Sequence, residues 1–147
     1  MEPYRVWTDI DVRFRDTDAM GHVNNAVYST YLEVARQAYW QRVDPGCSYD
    51  RVPFILAQIS IDFRRAATVN DAIRVFIRTT WVGRSSFGMR YEIRARDGEA
   101  LFADAESVLV IYDYASDRSI PMPEALRRAL DAIEGRALPP KPSPATR

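Results

Sequence analysis

The sequence has a single cysteine and a single histidine. One thiol, Cys47, excludes an internal disulfide and gives no sign of an oxidising compartment, so a cytoplasmic address is the simplest expectation and the thiol itself is expected to be inert. One imidazole and one thiol form no ligand-spaced cluster, so no metal site is expected. Glycine-rich phosphate loops and a Gly-x-Ser-x-Gly turn are also missing, which argues against esterase chemistry of the serine type. No run approaches the roughly 20 apolar residues that span a bilayer, and the first residues, Met1-Glu-Pro-Tyr-Arg-Val-Trp7, lack an apolar core of signal-peptide length. A soluble protein is expected. Net charge is absent too: Lys plus Arg equals Asp plus Glu at 20 each, so no global field favours nucleic acid or an anionic membrane as a partner.

What is present is arginine, which supplies nearly all the positive charge and suits bidentate grip on carboxylate or phosphate. The 147 residues fit one domain. Residues 5–14 alternate, with Val6, Thr8, Ile10, Val12 and Phe14 on one face, the period of a half-buried strand. Asp16 to Asn24 reads as the loop leaving it, with Gly21 as a turn residue. Asn24 or Asn25 then caps a helix predicted over 26–42, with Val27, Tyr31, Val34, Ala35 and Ala38 at helical spacing and Tyr28, Leu32 and Tyr39 flanking them. Its apolar face is broad, as in a helix embraced by other structure. Four strand patterns follow, over 54–64, 72–82, 87–96 and 101–112, joined by short turns such as Asp97-Gly98 that force antiparallel neighbours. In the first of these, Ile55, Ala57, Ile59, Ile61 and Phe63 are expected on one face. A second helix is predicted over 123–134, with Gly135 past its end and Leu126, Leu130 and Ile133 as its buried stripe. The single domain is read as 1–136, and 137–147, proline-rich and poor in apolar residues, as a mobile tail.

The densest chemistry lies in Arg13-Phe-Arg-Asp-Thr-Asp-Ala-Met-Gly-His-Val-Asn-Asn-Ala-Val-Tyr28. This stretch, followed by Tyr31-Leu-Glu33-Val-Ala-Arg36, resembles the signature of the 4-hydroxybenzoyl-CoA thioesterase family of acyl-CoA thioesterases, in particular the branch carrying Gly-His-Val-Asn-Asn. One strand, one long helix and four antiparallel strands is likewise the element order of the hotdog fold. The fold class expected is therefore α+β: a five-stranded antiparallel sheet wrapped around one long central helix, plus a short C-terminal helix. The resemblance in element order covers roughly residues 4–113, and nothing is carried over to the C-terminal segment. It implies hydrolysis of an acyl thioester to free acid and CoA, with Asp18, the second aspartate of the Asp-x-Asp pair, carrying the catalysis. It also implies backbone N–H groups at the helix start polarising the thioester carbonyl, and a homodimer or homotetramer with active sites between subunits. Coenzyme A enters as part of the substrate, so no cofactor is expected, and an acyl carrier protein can present the same thioester.

The residues support this chemistry independently. Thioester hydrolysis needs a nucleophile or base and donors aimed at the oxyanion, and a carboxylate beside a helix N-terminus supplies both. Asp18 either attacks directly, giving a mixed anhydride, or acts as a general base on water; as an isolated loop aspartate it would only cap a turn. Asp16 is solvated or structural, or interacts with Asp18. His22 is a hydrogen-bonded structural histidine or orients the substrate or loop. Asn25 is first an N-cap and, as a site residue, holds water or the thioester. Gly21 and Val23 shape the helix entrance, and Tyr28 packs in the core or reaches the site with its hydroxyl. Arg84-Ser85-Ser86 is an ordinary polar turn or lies near the thioester or pantetheine arm. Glu33 faces solvent or pairs with Arg36 or Gln37, and is the reserve catalytic carboxylate. Arg64, Arg65, Arg90, Arg94 and Arg96 meet CoA phosphates or serve solubility and edge protection. Two rivals remain: a hotdog enoyl-thioester hydratase or dehydratase acting through His22, and a non-catalytic acyl-thioester-binding module.

Overall fold

The computed structural model describes residues 3–48 and 51–144. The first strand, β1 (Val6–Asp11), stops short of the predicted 5–14, because the chain folds into a turn of 3-10 helix over Phe14–Asp16. The cause is the Asp16 carboxylate, which accepts from the Arg13 backbone N–H at 3.0 Å and from its guanidinium at 2.9 Å. Phe14, expected on the buried face, is turned out to 84 % exposure. Asp16 is 3 % exposed and also accepts from the Tyr31 hydroxyl at 2.8 Å, so it is structural rather than solvated. Burial by itself would raise its pKa, but the hydrogen bonds from Arg13 and Tyr31 outweigh that and hold the carboxyl below its ordinary value.

The long helix, α1, runs Asn25–Val43 and is capped by Asn24, whose side chain accepts from the Ala26 N–H at 3.0 Å. Its buried side is Tyr28, Tyr31, Leu32, Ala35, Tyr39 and Trp40, while Val34 is left 39 % exposed. The tyrosines go inside because each hydroxyl finds an internal partner: Ala67 N–H for Tyr28, Asp16 for Tyr31, Glu134 for Tyr39. The remaining strands are β2 (Phe54–Phe63), β3 (Ala72–Val82), β4 (Ser86–Ala95) and β5 (Leu101–Asp113), in the antiparallel order β1-β3-β4-β5-β2. A two-residue strand not expected from the sequence, β6 (Arg118–Ser119), pairs with the end of β5. One face of this sheet packs on α1, whose nearest backbone neighbours are β1 and β3. At the other flank two edge-to-face aromatic pairs bridge α1 to β2: Tyr28–Phe63 and Trp40–Phe54. No helix among the described residues is long and apolar enough to cross a membrane.

Two irregularities correct the simple alternation. A bulge at Ala57 lets β2 slip by one residue, so Phe54 and Leu56 share the α1 side with Ile59, Ile61 and Phe63, and Ile55 moves to the other face. A second bulge between Thr79 and Trp81 lays the Trp81 indole over Gly88, where a Cβ would overlap the ring.

The second helix, α2 (Glu124–Glu134), ends at Gly135 in the left-handed conformation, φ +72°, against which the Arg5 guanidinium packs. Of the expected stripe Leu130 is fully buried, with Leu126 and Ile133 half-buried. Pairing of β1 with β3 ends at Val6 opposite Ile77, which leaves the rest of that β3 edge without a strand partner. Glu134 fills the gap: its carboxylate accepts from Thr79 N–H at 2.9 Å and from Tyr39 Oη at 2.7 Å. Burial and the nearby Glu134 charge push the Tyr39 phenol pKa up. The mobile tail expected from Ala137 is corrected over 137–142. Leu138 is buried, Pro139 O accepts from Val82 N–H at 2.9 Å, and Lys141 stands over the Trp81 ring. The edge N–H and the apolar Leu138 hold the segment in place despite its prolines. The expected tail residues 145–147 lie outside the described residues.

Two stability predictions follow from these anchors. Glu134→Ala leaves the Thr79 N–H buried without a partner and the Tyr39 hydroxyl with Thr79 Oγ1 alone, and should cost about 1–3 kcal/mol in urea unfolding; a loss below about 0.5 kcal/mol would contradict the bridging role. For Asp16, whose pKa is depressed on folding, stability is present in full above the unfolded value near 3.9 and is lost as pH falls through the folded value. The difference between wild type and Asp16→Asn should therefore be about 1–3 kcal/mol at pH 7 and shrink below about pH 4.

Candidate active site

The loop from Asp16 to Asn24 is a tight hairpin. Asp18 N–H donates to His22 O at 2.8 Å, Gly21 N–H donates to Asp18 O at 3.0 Å, and Gly21 sits at φ +78°, a conformation glycine adopts without penalty. Its base is pinned on both sides, by Asn24 N–H to Asp16 O at 2.9 Å and by Val23 N–H to Ala67 O at 2.7 Å. Asp18 Oδ1 accepts from the backbone N–H groups of Met20 at 2.9 Å and His22 at 3.3 Å. Among the described residues its Oδ2 has no hydrogen-bond partner. The turn-capping role and an open carboxylate oxygen are thus both present in one side chain. Asp16, two residues earlier, is committed to Arg13 and Tyr31.

Asp18, His22, Val23, Asn25 and Tyr28 come together around one cleft of about 290 Å³, completed by Phe63, Arg64, Arg65 and Ala66. Capping by Asn24 relieves Asn25 of the role first expected of it and makes Asn25 the first helical residue, whose N–H has no acceptor within the helix. The positive end of α1 therefore opens at the cleft that Asp18 lines. Tyr28 is buried, accepts from Ala67 N–H at 3.2 Å and stacks edge-on against Phe63; burial raises its phenol pKa. Phe63 and Ala66 are the lining residues the sequence reading did not single out. The signal for Phe63 is its place at the end of an edge strand, which leaves it 48 % exposed.

The arginines separate by partner. Arg64 pairs with Asp104 at 2.8 Å, Arg90 with Glu106 at 2.6 Å, Arg94 with Glu92 at 3.3 Å and Arg96 with Asp11 at 3.1 Å, all ties within the sheet. Arg65, on the cleft, has no ion pair among the described residues.

Two groups of candidates lie elsewhere in the protomer. Ser86 stands opposite Val110 and Phe63 opposite Ala103, so seven residues of β5 (110 less 103), about 23 Å, separate the Arg84-Ser85-Ser86 hairpin from the cleft. That hairpin is held to the segment before α2, with Arg84 O accepting from Met122 N–H, and to β5, with Ser85 O accepting from Ile111 N–H. Glu33 is exposed eight residues along α1 from Asn25 (33 less 25), about 12 Å. It does not pair with Arg36, which turns inward to the Tyr91 hydroxyl instead. Among the described residues there is no group of three or more His, Cys, Asp or Glu side chains arranged to hold a metal ion.

Comparison with known proteins places the chain as a whole. Residues 12–130 match the model of the thioesterase-like superfamily. A thioesterase from Thermus thermophilus, crystallised with coenzyme A and Zn, is 40 % identical, covers 94 % of this chain and all of its own, and superposes with a TM-score of 0.85. The long-chain acyl-CoA thioesterase FadM of Escherichia coli is 26 % identical over 131 residues, 86 % of this chain and 97 % of that one. YsmA of Bacillus subtilis, an uncharacterised protein, is 26 % identical over 110 residues, 70 % of this chain and 75 % of its own. With the hotdog arrangement of sheet and helix and a match over residues 12–130, the chain belongs to the thioesterase-like superfamily.

Proposed function

We propose that the protein hydrolyses acyl-CoA thioesters, with Asp18 as the catalytic carboxylate. One observation carries the reading: an aspartate with an unengaged oxygen lines the same cleft as the first, unpaired turn of α1. A thioester carbonyl placed between them has its developing oxyanion facing the helix N–H groups, Asn25 first among them. On one route Asp18 takes a proton from water, the hydroxide adds to the carbonyl carbon, and the C–S bond breaks with the thiolate of CoA recovering the proton. On the other, Asp18 itself adds, the thiolate leaves, and water opens the resulting anhydride. Label in the Asp18 carboxyl after single turnover in ¹⁸O-labelled water marks the second route, with water opening the anhydride at the Asp18 carbonyl. His22 is held by its backbone on both sides of the loop and lines the cleft with Val23, while Gly21 turns the loop that carries Asp18. The similarity to a coenzyme A complex and to an acyl-CoA thioesterase supports CoA as the thiol, which enters as part of the substrate. The single cysteine accords with a cytoplasmic reaction.

The reading includes a second copy of the chain. β2 is an edge strand of ten residues with Leu56 42 % and Phe63 48 % exposed, and Phe63 belongs to the cleft. Two copies meeting there bury these side chains, and the Arg84-Ser85-Ser86 hairpin, remote within one protomer, is then free to serve the other's substrate.

Asp18→Asn should lower kcat by about 10²–10⁴-fold while acyl-CoA still binds. Thiol release over short, long and aromatic acyl-CoAs, with enoyl hydration assayed alongside, tests this; hydration without thiol release would replace the hydrolase reading. Native mass should be a multiple of the 16.9 kDa chain mass, and Phe63→Glu should shift it toward one chain and reduce turnover together. A stable, fully active monomer would remove the second copy from the site.

A further inference from the structure

The flank between α1 and β2 holds a second hollow that the chemistry at Asp18 does not use. It measures about 270 Å³, its walls include Trp40, Phe54, Leu56 and Tyr114, and Glu33 and Arg36 supply its charge. It lies on the same flank as the Asp18 cleft, since both are bounded by α1 on one side and β2 on the other. Asn25 and Arg36 are eleven residues apart (36 less 25), about 16 Å along the axis. A helical side chain leans back toward the N-terminus, which brings the guanidinium roughly 10–12 Å from the helix start.

Arg36 turns inward from this wall. Its guanidinium donates to the Tyr91 hydroxyl at 3.3 Å, which shares a 2.6 Å hydrogen bond with Ser107 Oγ, and both of those residues are buried. Arg13, Arg64, Arg74, Arg90, Arg94 and Arg96 each have a carboxylate partner; Arg36, like Arg65 on the Asp18 cleft, has none among the described residues. A half-buried cation with five donors and one neutral partner keeps both charge and hydrogen-bonding capacity unspent. One turn further on, Trp40 is 5 % exposed and its indole N–H has no acceptor. The inner wall thus has donors in excess of acceptors, while Glu33, exposed on the same helix, offers an acceptor that is unpaired among the described residues.

Resting on the thioesterase reading, we propose that this hollow receives the far end of the acyl group and selects chains that carry a hydroxyl there. The hydroxyl oxygen accepts from Arg36 and its proton is donated to Glu33. A plain methyl end would dehydrate the guanidinium without replacing its hydrogen bonds. A terminal carboxylate would satisfy Arg36 but would face Glu33, a like charge.

The test is thiol release from decanoyl-CoA, its ω-hydroxy analogue and its ω-carboxy analogue, on wild type, Arg36→Met and Glu33→Gln. The hydroxy substrate should exceed the plain one in kcat/KM by about tenfold, because a site with buried donors rejects the analogue lacking the acceptor. That ratio should fall toward one in Arg36→Met. Equal use of the plain and hydroxy chains, or a ratio unmoved by Arg36→Met, overturns the inference while leaving the thioesterase reading intact. A preference for the carboxy chain overturns the hydroxyl assignment in favour of an anion. Calorimetric binding of free ω-hydroxydecanoate against decanoate gives the same comparison without turnover. If no thioester is cleaved, the thioesterase reading fails, and equal affinity for the two acids then overturns the inference as well.

Discussion

The structure depends on one buried carboxylate. Asp16 gathers the Arg13 backbone, the Arg13 guanidinium and the Tyr31 hydroxyl, and its own carbonyl accepts from Asn24. Through these four contacts the end of the first strand, both feet of the hairpin and the second turn of the helix become one rigid unit. The catalytic role proposed for Asp18 requires that its carboxylate be held close to its productive geometry by neighbours whose positions are themselves fixed. Asp18 is held in that way without being buried, its loop closed by hydrogen bonds to main chain while one oxygen stays unengaged. The division of labour between two aspartates two residues apart follows from direction alone: one side chain points into the protein, the other into the cleft.

A similar economy governs the C-terminal segment. The first strand is too short to cover the third, and Glu134 and Pro139 supply the acceptors that a longer strand would have offered. The helix α2 and the stretch after it are therefore part of the sheet's hydrogen bonding, and the family match, passing the point near residue 113 where the resemblance in element order stops, reaches into α2 at residue 130.

Element order, strand spans and the long helix were legible because their periodicities are strong and their turns short. Asp97-Gly98 and the 72–82 strand came through almost residue for residue. What was not legible depended on partners distant in sequence. Val34 fits a helical stripe as well as Tyr28 does, and only the remote hydroxyl partners decide that the tyrosines go in. The Ala57 bulge leaves no mark in composition, yet it reverses the faces of Phe54, Ile55 and Leu56. Leu138 is a single apolar residue among prolines, and nothing local says that it meets a waiting core. At the site, the run from Asp18 to Tyr28 is contiguous in sequence and so could be read as a unit. Phe63, Arg65 and Ala66 join it from the end of β2, and the Arg84-Ser85-Ser86 hairpin, attractive as a motif, lies at the far end of its strand.

The two edges of the sheet are treated differently. β1 is six residues long and carries Asp9 and Asp11, and the stretch of β3 beyond it is covered by the chain's own C-terminal segment. β2 is longer, apolar and uncovered. A sheet with one hospitable edge can be extended only once: two copies joined there present only blunted edges outward. The same asymmetry that invites pairing thus terminates it, and protects a protein with an exposed strand from growing into a fibre.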